Sequence, residues 1–201
     1  MRERQNILIA GGTSTGKTTL ANALLAEIAA TGDRVLVLED TIELQCAARD
    51  HVPLRTRAGV VSMQELVRAT MRLRPDRVVV GEVRGGEALD LIKVWGTGHP
   101  GGIATIHAGS TLGALLRLEQ LILEVAVNPP RALIAEAVNV VIHIAGRGRK
   151  RRVESIARVI GFDATGYRLA DALEASLSDL PLTAAPDAVI SPSSDSVGEL
   201  P

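Results

Sequence analysis

The sequence predicts an α/β fold, a mostly parallel sheet flanked by helices, and three observations carry that expectation. Short apolar runs alternate with segments of helical composition, as strand–helix–strand units require. Runs such as 34–39 and 77–81 are apolar on both faces, which suits strands in the middle of a parallel sheet. Between the first run and the first helix stands GGTSTGKTT, a glycine-rich turn of the kind that joins a strand to a helix.

The elements follow in order. Residues 7–10 (ILIA) read as a strand, and 18–30, rich in Ala and Leu, as a helix ending near Gly32. A second strand covers 34–39 (RVLVLE), and a weaker one 51–56 (HVPLRT). Ser62 with Glu65 forms a capping box for a helix reaching about Leu73, with Pro75 just beyond its end. A buried strand at 77–81, a helix at 87–95 and a strand at 103–107 come next. A long helix at 112–125 stops before Pro129-Pro130, and is followed by a short helix at 131–137 and a strand at 139–145. Strands at 153–160 and 167–169 make a C-terminal β-hairpin around FDATG. The ordered domain is expected over 1–175. Residues 176–201 turn to Ser, Pro, Ala and Asp without periodicity and read as a disordered tail.

Composition narrows the class. A chain of 201 residues with 46% apolar residues suits one globular core, and a net charge of −1 exerts no global pull on nucleic acid or anionic lipid. Cys46 is the single cysteine, which leaves no internal disulfide and fits a reducing compartment. The opening MRERQN is charged and no apolar stretch approaches the ~20 residues of a membrane helix, so a cytoplasmic location is expected. Any membrane association would then run through partners.

The turn has the GxxxxGK[ST] spacing of a phosphate-binding loop, placed between strand and helix as that loop requires. Gly11, Gly12, Thr13, Ser14, Thr15 and Gly16 would curl so that backbone N–H groups face phosphate oxygens, with Lys17, Thr18 and Thr19 opening the helix. Lys17 would reach the β- and γ-phosphates, and the Thr18 hydroxyl would ligate Mg²⁺. The plain alternative is a glycine-rich turn with an incidental lysine, and the context favours nucleotide. No N-K-x-D specifies guanine, and DATG at 163–166 is better read as a hairpin turn than as a switch. The middle of the chain also lacks the Arg-rich lid usual in a small-molecule kinase. An extra strand between Lys17 and RVVVGE points to ATPases that set a glutamate beside the attacking water, and Glu82 stands in that position.

Four segments then coincide: GGTSTGKTT, VLVLEDTIELQ, RLRPDRVVVGEVRGGEALDL and IKVWGTGHPGGIATIHA. In order and spacing they resemble the Walker A, Asp box, Walker B and His box of the secretion ATPases that power type II secretion, type IV pili and type IV secretion. Within that superfamily the chain is most similar to conjugal-transfer ATPases of the TrbB type, from about Asn6 to Leu169. The resemblance implies a RecA-like P-loop NTPase domain using ATP and Mg²⁺. It implies an acidic Asp box of Glu39 and Asp40 near the metal, Glu82 polarising the attacking water, and His99 and His107 as the His box, with His107 the stronger candidate for sensing γ-phosphate. The usual Walker B aspartate is replaced by Gly81. Arg55, Arg57 and Arg84 are candidates for stabilising charge within the site or across a subunit boundary.

The run RGRKRR at 147–152 holds five cations, yet with three aromatic residues in the chain it lacks stacking platforms for nucleic acid. A solvated hairpin tip is preferred to a partner or membrane-surface contact, and direct DNA binding is the least supported reading. Members of the family carry an N-terminal domain before the phosphate-loop strand; Met1 stands only ten residues ahead of Gly11, so that domain is expected to be missing here. The resemblance further implies a homo-hexamer acting on inner-membrane secretion or conjugation components. Two other readings stand beside this one: a truncated module that binds nucleotide or partners without turnover, and a type IV pilus or type II secretion motor. The single cysteine argues against the four-cysteine metal insertion found in many type II members.

Overall fold

A computed structural model describes Met1 and residues 3–172; the tail expected at 176–201 lies outside the described residues. The sheet is built from β1 (Ile7–Gly11), β2 (Val35–Glu39), β3 (His51–Arg55), β4 (Arg77–Val80), β5 (Ile103–Ile106), β6 (Val140–Ala145), β7 (Arg152–Asp163) and β8 (Gly166–Asp171). Their order across the sheet is β3-β2-β4-β5-β1-β6-β7-β8. The first six run parallel, and β7 and β8 close the far edge as an antiparallel hairpin. The helices are α1 (Lys17–Ala29), α2 (Met63–Thr70), α3 (Glu87–Gly96), α4 (Thr111–Ile122) and α5 (Arg131–Ala137).

Alternation along each strand divides the core. Leu8, Leu36, Leu38, Val78, Val80, Ala104 and Ile106 pack under α2, α3, α4 and α5. Ile7, Ile9, Val35, Val37, Val79 and Ile103 face the other way, onto Ala21, Leu25 and Ile28 of α1 and onto Leu44 and Ala48 of the β2–β3 connection. Four helices therefore cover one face, while a single helix and a loop cover the other. Leu25 and Ile28 are fully buried, and burying each such side chain contributes about 1.5–3 kcal/mol. The edge strand β3 tolerates Pro53 because its outer side needs no ladder bonds.

Boundaries differ from expectation where helices tighten at their ends. Ser62 caps α2 as anticipated, its hydroxyl accepting from Glu65 N while Glu65 Oε2 accepts from Ser62 N. The helix ends at Thr70, because Arg72 N and Leu73 N bond carbonyls three residues back and Arg74 turns to φ 52°. The same tightening after Ile122, through Glu124 N and Val125 N, shortens α4. The hairpin is longer than its apolar residues suggested, with FDATG at its tip and Thr165 N donating to Asp163 Oδ1 at 2.9 Å.

At the amino end of the sheet, Arg77 is only 1% exposed, and its guanidinium donates to Asp33 Oδ2 (2.6 Å), Gly101 O (3.1 Å) and Met1 O (3.2 Å). Trp95 Nε1 donates to Val78 O across Gly102, where a Cβ would lie 2.1 Å from that nitrogen. Among the described residues no helix is long and apolar enough to cross a membrane.

Candidate functional site

All six parallel strands deliver their carboxyl ends to one edge, where open parallel sheets bind ligands. β1 ends at Gly11 and enters a tight loop with Ser14 at φ 62° and Gly16 at φ 101° before α1 starts at Lys17. The 12–18 backbone thus leads into the head of a 13-residue helix, whose first N–H groups have no partner within the helix. Lys17 is 8% exposed, and its Nζ donates to the carbonyls of Gly11 and Gly12, each at 3.1 Å. Burial pushes its pKa below the usual 10.5, and the nearby Glu82 charge opposes that shift. A cavity of about 430 Å³ opens above the loop, bounded by residues 13–19, the end of β2 and its following turn, Gly81, Glu82, Arg84, Thr105, His107 and Arg151.

Glu82 is fixed from both sides. Gly81 N donates to Leu38 O on β2, while Thr105 on β5 accepts from Val83 N through its carbonyl and donates through its hydroxyl to Gly81 O. Gly81 also makes room for the Glu39 side chain, since a Cβ there would lie 3.3 Å from Glu39 Cγ. Glu82 Oε2 accepts from Arg84 Nε at 2.6 Å, which raises the arginine's pKa. Glu82 Oε1 is buried 2.6 Å from His107 Nε2 and has no hydrogen-bond partner among the described residues. One carboxylate oxygen is held by Arg84 and the other lies against His107.

The acidic residues divide the work differently from expectation. Glu39, 4% exposed, spends Oε1 on the backbone amides of Glu43 (2.9 Å) and Leu44 (2.7 Å), folding the turn back on itself. Asp40 Oδ1 accepts from Thr56 Oγ1 at 2.7 Å, and its Oδ2 lies 3.5 Å from Arg84. Neither carboxylate meets Thr18. Glu43 does: its Oε2 accepts from the Thr18 hydroxyl at 2.9 Å. Thr18, Glu39 and Asp40, the expected metal residues, all line the cavity, and among the described residues no group of three His, Cys, Asp or Glu is poised to hold a metal directly. A Mg²⁺ ion suits this donor set through Thr18 and water-bridged carboxylates, with Glu43 first among them.

His107 reaches the cavity and His99 does not. His99 Nδ1 lies 2.8 Å from Pro75 O, ahead of β4, at the opposite end of the sheet. The intervening β5 carries the chain from one end to the other. Gly101 and Gly102 accommodate Arg77 and Trp95. Arg55 and Arg57 are exposed near the β3 edge, outside the cavity lining. The sequence missed two residues. Glu43 could have been suspected as a third acid within EDTIE; Arg151 comes from the basic run read as a solvated tip, and its proximity to the loop depends on β6 pairing with β1.

The family described as type II/IV secretion system protein matches residues 1–158. Conjugal transfer protein TrbB of Rhizobium radiobacter is 51% identical over 167 residues, covering 82% of this chain and 51% of that protein. Type IV secretion system protein PtlH of Bordetella pertussis is 39% identical over 166 residues, covering 75% and 49%. Among solved structures, the VirB11 ATPase of the Brucella suis type IV secretion system superposes with a TM-score of 0.71 at 33% identity, covering 78% of this chain and 49% of that one. The pilus retraction motor PilT shares the fold with a TM-score of 0.58 at 21% identity, covering 83% and 46%. The chain spans about half the length of the curated relatives it matches. With a family match over residues 1–158 and 51% identity to TrbB over 167 residues, this chain belongs to the type II/IV secretion system protein family.

Proposed function

We propose that this chain is the ATP-hydrolysing part of a motor that energises a type IV secretion system for conjugal transfer. The observation that carries the reading is the convergence of Lys17 and Thr18 from the head of α1 with Glu82 from the end of β4 on one cavity, with Glu82 Oε1 lacking a hydrogen-bond partner among the described residues. Backbone amides of residues 12–18 take the phosphate oxygens of ATP, and Lys17 exchanges the Gly11 and Gly12 carbonyls for phosphates. Thr18 and Glu43 hold Mg²⁺ and its waters, which offsets charge on the terminal phosphates. Glu82 Oε1 accepts a hydrogen bond from the attacking water and withdraws its proton, while Arg84 keeps Oε2 in place and His107 flanks the terminal phosphate.

Likeness to TrbB supports conjugal transfer as the process served, and VirB11 supports the ATPase chemistry. We place the protein in the cytoplasm, as a homo-hexamer bound to inner-membrane components of the apparatus. Arg55 and Arg57, exposed and outside their own cavity, are suited to a neighbour's nucleotide in such a ring. Phosphate release by this protein is the test. Mg²⁺-dependent ATP turnover abolished by Lys17→Ala supports the reading. ATP binding with no turnover under any assembly condition would make the chain a nucleotide-binding module instead.

A further inference from the structure

The basic run at 147–152 is exposed throughout, yet one of its cations reaches the cavity. Gly146 takes φ 82°, and a Cβ there would lie 2.1 Å from Lys150 O. This close approach, with Lys150 N donating to Arg147 O at 3.1 Å, folds the run into a compact turn after β6. The turn brings Arg151 back across the phosphate loop: its Cδ lies 3.5 Å from where a Cβ on Gly16 would sit, and it lines the cavity. Arg152 pairs with Glu154 at 2.7 Å, and Arg84, across the cavity, with Glu82. Arg151 has no carboxylate within ion-pair distance among the described residues.

Topology assigns this guanidinium an end of the ligand. β1, which carries the phosphate loop, lies between β5 on one side and β6 on the other. Glu82, Asp40, Glu43 and His107 all belong to the β5 side, following β4, β2 and β5. Arg151 follows β6, on the other side. A nucleotide whose terminal phosphate faces Glu82 has its α-phosphate and nucleoside directed toward Arg151.

We propose that Arg151 is a nucleotide-binding residue that grips the α-phosphate end, retaining ATP and ADP alike without taking part in hydrolysis. The proposal rests on the phosphate-loop reading above. An unpaired guanidinium presents a rigid fork of donors that matches phosphate oxygens, which a lysine does not reproduce.

The test is titration of MgADP, MgATP and inorganic tripolyphosphate into the wild-type protein and the Arg151→Ala, Arg151→Lys and Arg147→Ala variants. Arg151→Ala should weaken ADP and ATP equally, by about 10- to 100-fold, the range expected for one charge-assisted contact. Tripolyphosphate, which carries a phosphate in the α position, should weaken by a similar factor, while kcat at saturating ATP should change less than about 2-fold, with the loss appearing in KM. Arg151→Lys should recover only part of the affinity, and Arg147→Ala should match wild type. Unchanged ADP affinity, unchanged tripolyphosphate affinity, or a fall in kcat without a rise in KM would each overturn the proposal. Absence of both ADP and tripolyphosphate binding in the wild-type protein would instead remove the phosphate-loop reading on which it rests.

Discussion

Replacing Glu82 by Gln should separate binding from chemistry. The amide oxygen can keep the contact with Arg84 Nε, now 2.6 Å from Glu82 Oε2, and the amide nitrogen can face His107 Nε2. Arg84 is 64% exposed, so the lost ion pair costs only about 0.2–1 kcal/mol of stability. The clamp on Glu82 from Leu38 and Thr105 uses backbone atoms and the Thr105 hydroxyl and survives the substitution. What disappears is an acceptor able to take the water's proton, an effect of about 10²- to 10⁴-fold in rate. That range corresponds to about 2.7–5.4 kcal/mol of barrier. Single-turnover phosphate release, paired with titration of a fluorescent ADP, reads both quantities on one preparation. A rate within 3-fold of wild type at unchanged affinity would refute the role of Glu82 (about 0.65 kcal/mol or less). Affinity lost together with rate would make Glu82 an anchor for metal or loop.

Further expectations concern the metal, the fold and pH. Glu43→Ala, which frees the Thr18 hydroxyl, should raise the Mg²⁺ concentration for half-maximal turnover by about 10- to 100-fold, and an unchanged Mg²⁺ titration would exclude Glu43 from the metal site. Asp33→Ala should destabilise the domain by about 3–5 kcal/mol in urea unfolding, because it leaves the buried Arg77 guanidinium without its counter-ion; a loss under about 1 kcal/mol would show that water replaces the carboxylate. Burial alone would raise the Asp33 pKa, but hydrogen bonds from Thr31, Arg77 and Arg4 hold it below 3.8. Its contribution is complete above that ordinary value and is lost as pH falls through the lowered one, so the variant's stability should respond less to acid there. Lys17 is held below 10.5 by burial, and phosphate raises it on binding. ADP affinity should therefore fall with rising pH between the free and bound pKa values, with proton uptake on binding that calorimetry in two buffers detects; Lys17→Arg should flatten this dependence.

Most elements were legible because local chemistry and tertiary role agree. Doubly apolar strands, the Ser62–Glu65 cap and the glycine-rich turn after β1 each point to what forms. The approach of residues 13–19 and Glu82 to one cavity follows the same logic, since short motifs set them directly at strand ends. What the sequence obscured depends on strand order and side-chain direction. His99 and His107 are eight residues apart, yet β5 places them at opposite ends of the sheet. The sequence did not show that Glu39 Oε1 takes two backbone amides of the turn that follows β2. Glu43 and Arg151 approach the loop only after β2 and β6 take their places in the sheet.

The most direct test is a structure of the protein with Mg²⁺ and a non-hydrolysable ATP analogue. It should show Lys17 Nζ moved from the Gly11 and Gly12 carbonyls onto the phosphates, and one ordered water between Glu82 Oε1 and the terminal phosphate. An analogue bound away from residues 11–19, with Lys17 still on those carbonyls, would contradict the account.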